Sequence, residues 1–305
     1  MSKLMQFIIV AVFLFTCSSL IISIRYIQKS CNKAFNQLLL HFKIVYIGSL
    51  LTYYMNIISR ILTAVGFALV PSLIWKSMVV QWLGIHLALY LVLLNMYLRL
   101  KLSFIGTIHN PSKRVMKLYF ISINIVLIVA VTAFVIGDIA FRIGDAFNTD
   151  EFYWRIGQSL FIGNYFLYIL FSSMLLYSFL SRLFYLNKEF NQNMDKNEEY
   201  PLLIKLVVKY IVLFMFQYIS TIYFIILTIR VMGFENKSIV IHGIHNIAFY
   251  LETMINMGSL YLQFKFSEND YYRCCKCCDK LVYRCIKQKQ IKSENTIKIE
   301  TNIQV

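Results

Sequence analysis

The sequence predicts an all-α polytopic membrane protein: a bundle of seven transmembrane helices with its N-terminus outside and an amphipathic helix after the last span. Three observations predict it. The 305 residues are 59% hydrophobic and 15% charged, with a mean hydropathy of +0.63, against about half apolar and about a quarter charged in a soluble domain. Seven apolar runs are long enough to cross a bilayer, each reaching the roughly 20 residues that a helix needs to span about 30 Å of hydrocarbon. The cations between those runs fall mostly on one side of the membrane.

The runs cover residues 4–24, 38–62, 78–98, 118–139, 156–181, 206–229 and 239–262. The first follows Lys3 and contains the small pair Ser18-Ser19, as a secretory signal would. It is longer than a signal core, and Arg25, Lys29 and Lys33 follow it directly, so it is a first membrane helix. Residues 63–76 are apolar but short and interrupted by Gly66 and Pro71, which predicts an outer loop, with an interfacial or re-entrant segment or an eighth span as the alternatives. Pro111 beside Asn110 marks an inner turn. Pro201 follows Asn197-Glu198-Glu199-Tyr200, where acids and a proline favour a helix start, here that of the sixth span. The short loops leave no room for a soluble domain. Residues 1–264 form one bundle, 265–287 a juxtamembrane, basic, cysteine-rich helix, and 288–305 a polar, disordered cytoplasmic tail.

With the N-terminus outside, the inner segments hold 21 Lys and Arg and the outer segments seven, Arg60 and Lys76 among the latter. Cytoplasmic loops carry such an excess. Lys43 and Lys209 lie inside spans near their inner ends, where long side chains snorkel to the headgroups. Asp138, Asp145, Asp150 and Glu151 crowd the outer loop after span four, and the sequon Asn236-Lys237-Ser238 lies outside, making Asn236 a candidate glycosylation site. The net charge of +15 therefore reflects topology and not nucleic-acid binding, which needs cations clustered to neutralise phosphates. The partners it implies are the bilayer and the anionic lipids of its inner leaflet. Of the seven cysteines, Cys17, Cys31, Cys274, Cys275, Cys277, Cys278 and Cys285, none falls in an outer segment, which argues against a disulfide framework.

Ionisable side chains at membrane depth cost about 2.5–3.5 kcal/mol each on insertion scales and mark function by default. Span seven carries His242, His245, Phe249, Glu252 and Asn256 at spacings of three and four, one face of a helix, and Asn246 and Thr253 widen that face. This polar stripe is the candidate site for a ligand or an ion, with interhelical hydrogen bonding as its structural alternative. Gln217, Ser220, Thr221 and Thr228 form a weaker stripe in span six. Gln158, Asn164, Ser172 and Ser173 in span five suit packing, and Gln81, His86 and Asn95 in span three share no clean face. Catalysis has no support. His242 and His245 lack a third metal ligand, there is no nucleophile elbow or phosphate-binding glycine loop, and no cofactor is implied.

The tail mixes cations with Tyr271, Tyr272, Cys274, Cys275, Cys277, Cys278, Leu281 and Val282, the pattern of a helix lying on the inner leaflet. Ser267 followed by Asp270 fits a helix cap. Cys274, Cys275, Cys277 and Cys278 are candidates for S-palmitoylation, since Cys-Cys-Lys-Cys-Cys lacks the two-residue gap of a zinc knuckle.

Seven spans, an outer N-terminus and a cysteine-bearing amphipathic segment after span seven resemble the G-protein-coupled receptor architecture over residues 4 to 287. The rhodopsin-like group carries Asp-Arg-Tyr after span three. Here stands Tyr97-Leu98-Arg99-Leu100, so Arg99 alone carries over, as a cytoplasmic coupling residue. Where that group has Asn-Pro-x-x-Tyr, this chain has Asn256-Met257-Gly258-Ser259-Leu260-Tyr261, without the proline. The resemblance implies a plasma-membrane receptor: a small extracellular ligand would enter between spans three, five, six and seven, and a heterotrimeric G protein would meet the inner loops and tail. Two other classes fit the same stripe: a transporter or channel moving protons, ions or small solutes past Glu252 and the span-seven histidines, and a non-signalling membrane scaffold.

Overall fold

The structure, a computed structural model, describes residues 3–34, 40–68, 71–143, 151–193, 200–233, 239–263 and 267–273. It is all-α, with eight helices and no strand among the described residues: α1 (Lys3–Ala34), α2 (Leu40–Ala68), α3 (Pro71–Ser103), α4 (Lys113–Ile143), α5 (Glu151–Asn193), α6 (Tyr200–Gly233), α7 (Ile239–Leu262) and a short α8 over 268–273. Each predicted span corresponds to one long helix, and most of the helices run beyond the predicted limits, α1 and α5 by ten or more residues at their C-terminal ends. Six helices, α1 to α6, are long and apolar enough to cross a membrane. The protein is thus a multi-pass membrane protein by its helices. α7 has the length, at 24 residues, but His245, Asn246, Glu252 and Asn256 lower its hydropathy, and it is packed against its neighbours.

The 63–76 stretch is not a loop. α2 continues through Ala68 and α3 begins at Pro71. The isolated Gly66 sits near a helix end, where its cost is small, and Pro71 occupies a first-turn position in which no amide hydrogen is needed. α5 is also longer than its predicted span: 43 residues extend about 65 Å at 1.5 Å per residue, more than the thickness of a bilayer.

The helices pack in chain order, and α1 closes the ring by lying along both α2 and α7. Within the ring α3 meets α5, and α2 also reaches α7. Leu50, Ile57, Leu89, Leu93, Tyr165, Phe224 and Phe249 fill the interior, each at most 1% exposed. α1 and α4 turn apolar faces outward, with Phe13, Leu14, Leu118 and Ile128 all exposed, as helices facing lipid require. α1 meets α7 closely. Ser23 Oγ lies 3.4 Å from Met257 Sδ, Tyr26 stacks on Tyr261 at 4.8 Å, and a Cβ at Gly258 would stand 3.2 Å from the Tyr26 hydroxyl.

The α1 C-terminus, the α3–α4 connection and α8 share one end of the bundle, the tail end. There α8 folds back onto the ring. Ser267 Oγ donates to the Tyr261 carbonyl at 2.8 Å, Tyr261 donates to Asp270 Oδ2 at 2.7 Å, and Lys29 pairs with the same oxygen at 3.0 Å. The Ser267 and Asp270 side chains thus tie α8 to α7 and α1, beyond the helix cap expected of them. Tyr271 is 1% exposed against Val208, Val212 and Leu213. Lys209, expected to snorkel, is instead buried, its ammonium 5.1 Å from the Tyr271 ring centre. The Tyr261 hydroxyl and then Lys29 hold the Asp270 carboxyl below the usual carboxylate range.

Residues 104–112 make a tight turn between α3 and α4. Gly106 takes a φ of +80°, a left-handed conformation that favours glycine. The amides of Thr107 and Asn110 donate to the carbonyls of Phe104 and Thr107, both at 3.2 Å. Arg182 Nε of α5 donates to the His109 carbonyl at 3.0 Å. Ser112 opens α4, its carbonyl accepting from the Met116 amide at 3.0 Å.

Candidate functional site

Three- and four-residue spacing puts Phe249, Glu252 and Asn256 of α7 on the face turned into the ring, and all three are buried. The Glu252 carboxyl is 4% exposed. Its Oε1 accepts from Thr221 Oγ1 of α6 and from Asn256 Nδ2, each at 3.4 Å, the far limit of a hydrogen bond. Tyr53 of α2 and Tyr165 and Tyr168 of α5 surround it closely enough to feel its charge. A carboxyl so placed is enclosed but weakly held.

The charge nearest to Glu252 is one that sequence reasoning placed in an outer segment. Arg60 lies within α2, nearly two turns beyond Tyr53 on the same face, and its guanidinium points into the ring. It donates to Asn246 Oδ1 of α7. With the Gln81 amide oxygen turned toward it, Gln81 of α3 accepts from Arg60 Nε at 2.6 Å and from Nη2 at 2.8 Å. The guanidinium carbon stands 3.8 Å from the Phe249 ring centre, a cation–π contact worth about 2 kcal/mol when desolvated. Arg60 and Glu252 interact electrostatically yet form no ion pair within 4.0 Å. The Arg60 fork is occupied by two amides, and Glu252 by a hydroxyl and an amide.

Polar groups around this pair are left over. The Asn164 amide nitrogen lies 2.8 Å from His86 Nδ1. If it donates there, a neutral His86 carries its proton on Nε2. Among the described residues that Nε2 is buried with no hydrogen-bond partner, as are Asn56 Oδ1, Asn164 Oδ1, Tyr165 OH, Gln217 Oε1 and Asn256 Oδ1. A buried polar group without a partner costs about 1–3 kcal/mol, so these six give the closed ring a strong demand for hydrogen-bonding company. They are linked in space: His86 packs edge-on to Phe161 at 4.8 Å and lies 6.5 Å from Tyr165, and Tyr165 lies 5.8 Å from Phe224.

Of the predicted site residues, the ring brings together Asn246, Glu252 and Asn256. Gln217 joins them from α6, its amide nitrogen donating to the Tyr168 hydroxyl at 2.6 Å. His245 sits at the edge, 3.1 Å from Thr228 Oγ1 and stacked on Phe224 at 5.2 Å, the surroundings of a packed side chain. The His242 side chain, Asn236, Cys274, Cys275, Cys277 and Cys278 lie outside the described residues. Among the described residues no group of three or more His, Cys, Asp or Glu is placed to hold a metal. Sequence reasoning missed Arg60, Tyr53 and Asn56. Their signal was present, since 53, 56 and 60 are spaced by three and four along the buried face that also holds Tyr46, Ser49, Leu50 and Ile57.

Arg99 belongs to a second cluster at the tail end. Its Nε donates to Asn95 Oδ1 at 3.3 Å, and its Nη1 donates to the Tyr210 hydroxyl of α6 and, at 3.4 Å, to the Gln263 carbonyl just past α7. One guanidinium therefore ties α3, α6 and the end of α7 together. From Glu252 to Gln263 is eleven residues, about 16 Å along the helix axis.

No family model matches the chain, and no curated protein or solved structure matches it either.

Proposed function

We propose that the protein is a seven-helix receptor-like membrane protein, N-terminus outside, whose polar ring interior binds a small extracellular ligand and whose tail end signals to a cytoplasmic G protein. The observation that carries this is the pairing of two sites on α7: the Arg60–Glu252 interior with its unpartnered polar atoms, and the Arg99 latch about 16 Å along the same helix. A ligand that supplied partners to Tyr165, Gln217 and Asn256 would pull α5, α6 and α7 together. α6 and α7 are also the elements that Arg99 ties to α3. Differential contact with two arrangements of these helices is the physical requirement for coupling. Seven crossings accord with the ring closing in chain order and with α8 pairing to the C-terminal end of α1, opposite the chain's start. The outer N-terminus rests on the cation bias.

The test uses the full chain in lipid nanodiscs. Nucleotide exchange on a panel of Gα subunits is compared with empty discs, and Glu252→Gln is expected to shift the basal rate for at least one subunit. An N-terminal epitope exposed on intact cells, with a C-terminal epitope reached only after permeabilisation, is the accompanying topology result. The buried carboxyl among tyrosines and His86 favours a second reading, a proton-linked transporter. Flux into proteoliposomes that Glu252→Gln abolishes, with every Gα silent, would replace the receptor proposal with that one.

A further inference from the structure

The turn between α3 and α4 carries a surface that the interior sites do not use. Ile108 is 82% exposed and Ile105 62% exposed, on a segment whose shape is fixed by its own backbone hydrogen bonds and by Arg182 on the His109 carbonyl. Lys101, Lys113, Arg114 and Lys117 flank them, all exposed and none in an ion pair among the described residues. Lys117 is followed at once by Leu118 and then Ile121, at 63% and 47% exposure, the beginning of the lipid-facing side of α4. These cations therefore stand where the apolar face of a spanning helix begins, the level of the phospholipid headgroups. At that level the hydrocarbon side chains of the turn have acyl chains to enter, and the cations have phosphates and carboxylates to meet.

We propose that residues 104–112, with Lys101, Lys113, Arg114 and Lys117, form an anionic-phospholipid site, in which Ile105 and Ile108 enter the acyl boundary while the cations hold acidic headgroups. The site depends on the proposed orientation only for which leaflet it meets. A bilayer with the same lipids in both leaflets tests it in either orientation.

The full chain, its native cysteines changed to serine and Ile108 changed to cysteine bearing a nitroxide, is placed in nanodiscs of phosphatidylcholine with or without phosphatidylserine. Power saturation then compares access by oxygen with access by a water-soluble nickel chelate. With phosphatidylserine the label is expected to favour oxygen, and co-purified phosphatidylserine, read by native mass spectrometry, is expected to fall at least threefold in Lys113→Gln/Arg114→Gln/Lys117→Gln. The charge-keeping Lys113→Arg/Lys117→Arg protein controls for folding and is expected to keep its lipid. A label open to the nickel chelate in both mixtures would overturn the proposal and point to a soluble protein partner for the turn. Equal phosphatidylserine retention by the Gln and Arg variants would overturn its anionic part.

Discussion

Replacing Tyr271 by alanine separates the forces that hold α8 against the bundle. The ring is 1% exposed among Val208, Val212, Leu213, Tyr261 and Leu262, so Tyr271→Ala forfeits most of an aromatic burial. Aromatic-to-alanine changes in cores cost about 3–5 kcal/mol, and a short helix at the rim of a bundle relaxes enough to put this one near 3 kcal/mol. The Lys29–Asp270 pair looks more prominent, at 3.0 Å, but its side chains are 49% and 35% exposed, and exposed pairs contribute about 0–1 kcal/mol. Burial should therefore decide. Tyr271→Ala is expected to raise the undocked fraction of α8 about a hundredfold, at 1.4 kcal/mol per factor of ten, and Lys29→Met by less than about fivefold. Hydrogen–deuterium exchange of the amides at 268–273, followed in nanodiscs, reads both. Equal loss of protection in the two variants, or a larger loss in Lys29→Met, would refute the view that burial holds the helix.

Acid should loosen the same contact by a separate route. Asp270 is held below the usual carboxylate range, so its contribution is complete above the unfolded carboxylate value of about 3.9 and is lost as pH falls through its lower folded value. Protection at 268–273 should stay level from neutral pH down to about pH 5 and drop below that range, with Asp270→Asn giving a flat profile. A double-mutant cycle of Arg60→Met with Gln81→Leu, followed by thermal unfolding in detergent, should give a coupling of about 0.6 kcal/mol and no more than about 1.7, the span measured for hydrogen bonds between membrane helices. Gly84→Ala should cost about 1–3 kcal/mol through overpacking, because a Cβ there would collide with the Asn56 amide. Melting curves should show Asn56→Ala recovering most of that loss.

The helices were legible because apolar length is a coarse signal that the bilayer enforces residue by residue. The ends were not. Gly66 and Pro71 look like a break, yet a glycine near one helix end and a proline in the first turn of the next are compatible with two helices that nearly abut. The misplacement of Arg60 followed from that error: with an outer loop expected just after residue 62, a cation at 60 seemed to belong to the water. Glu252 and Asn256 were found because α7 is polar enough to announce itself. Tyr53 and Asn56 were hidden because tyrosine and asparagine inside an apolar helix resemble packing residues until a charge across the ring gives them a task. Arg99 was singled out through a resemblance at one position, and no periodicity in its own helix indicates that it reaches Tyr210 and the Gln263 carbonyl.

The closure of the ring has a bearing on how the protein is made. Ser23 meets Met257 and Tyr26 meets Tyr261 across more than 230 residues of chain. During synthesis α1 waits in the bilayer through the emergence of five further helices before α7, its second neighbour, arrives. Helices of membrane proteins insert first and associate afterwards, and α7, which carries the buried Glu252, has neighbours on both sides only once α1 and α6 are in place. The step that seals the ring is therefore also the step that shelters Glu252, and a chain arrested before Met257 would leave the inner faces of α1 and α6 open to lipid and to the quality-control machinery that recognises unassembled helices.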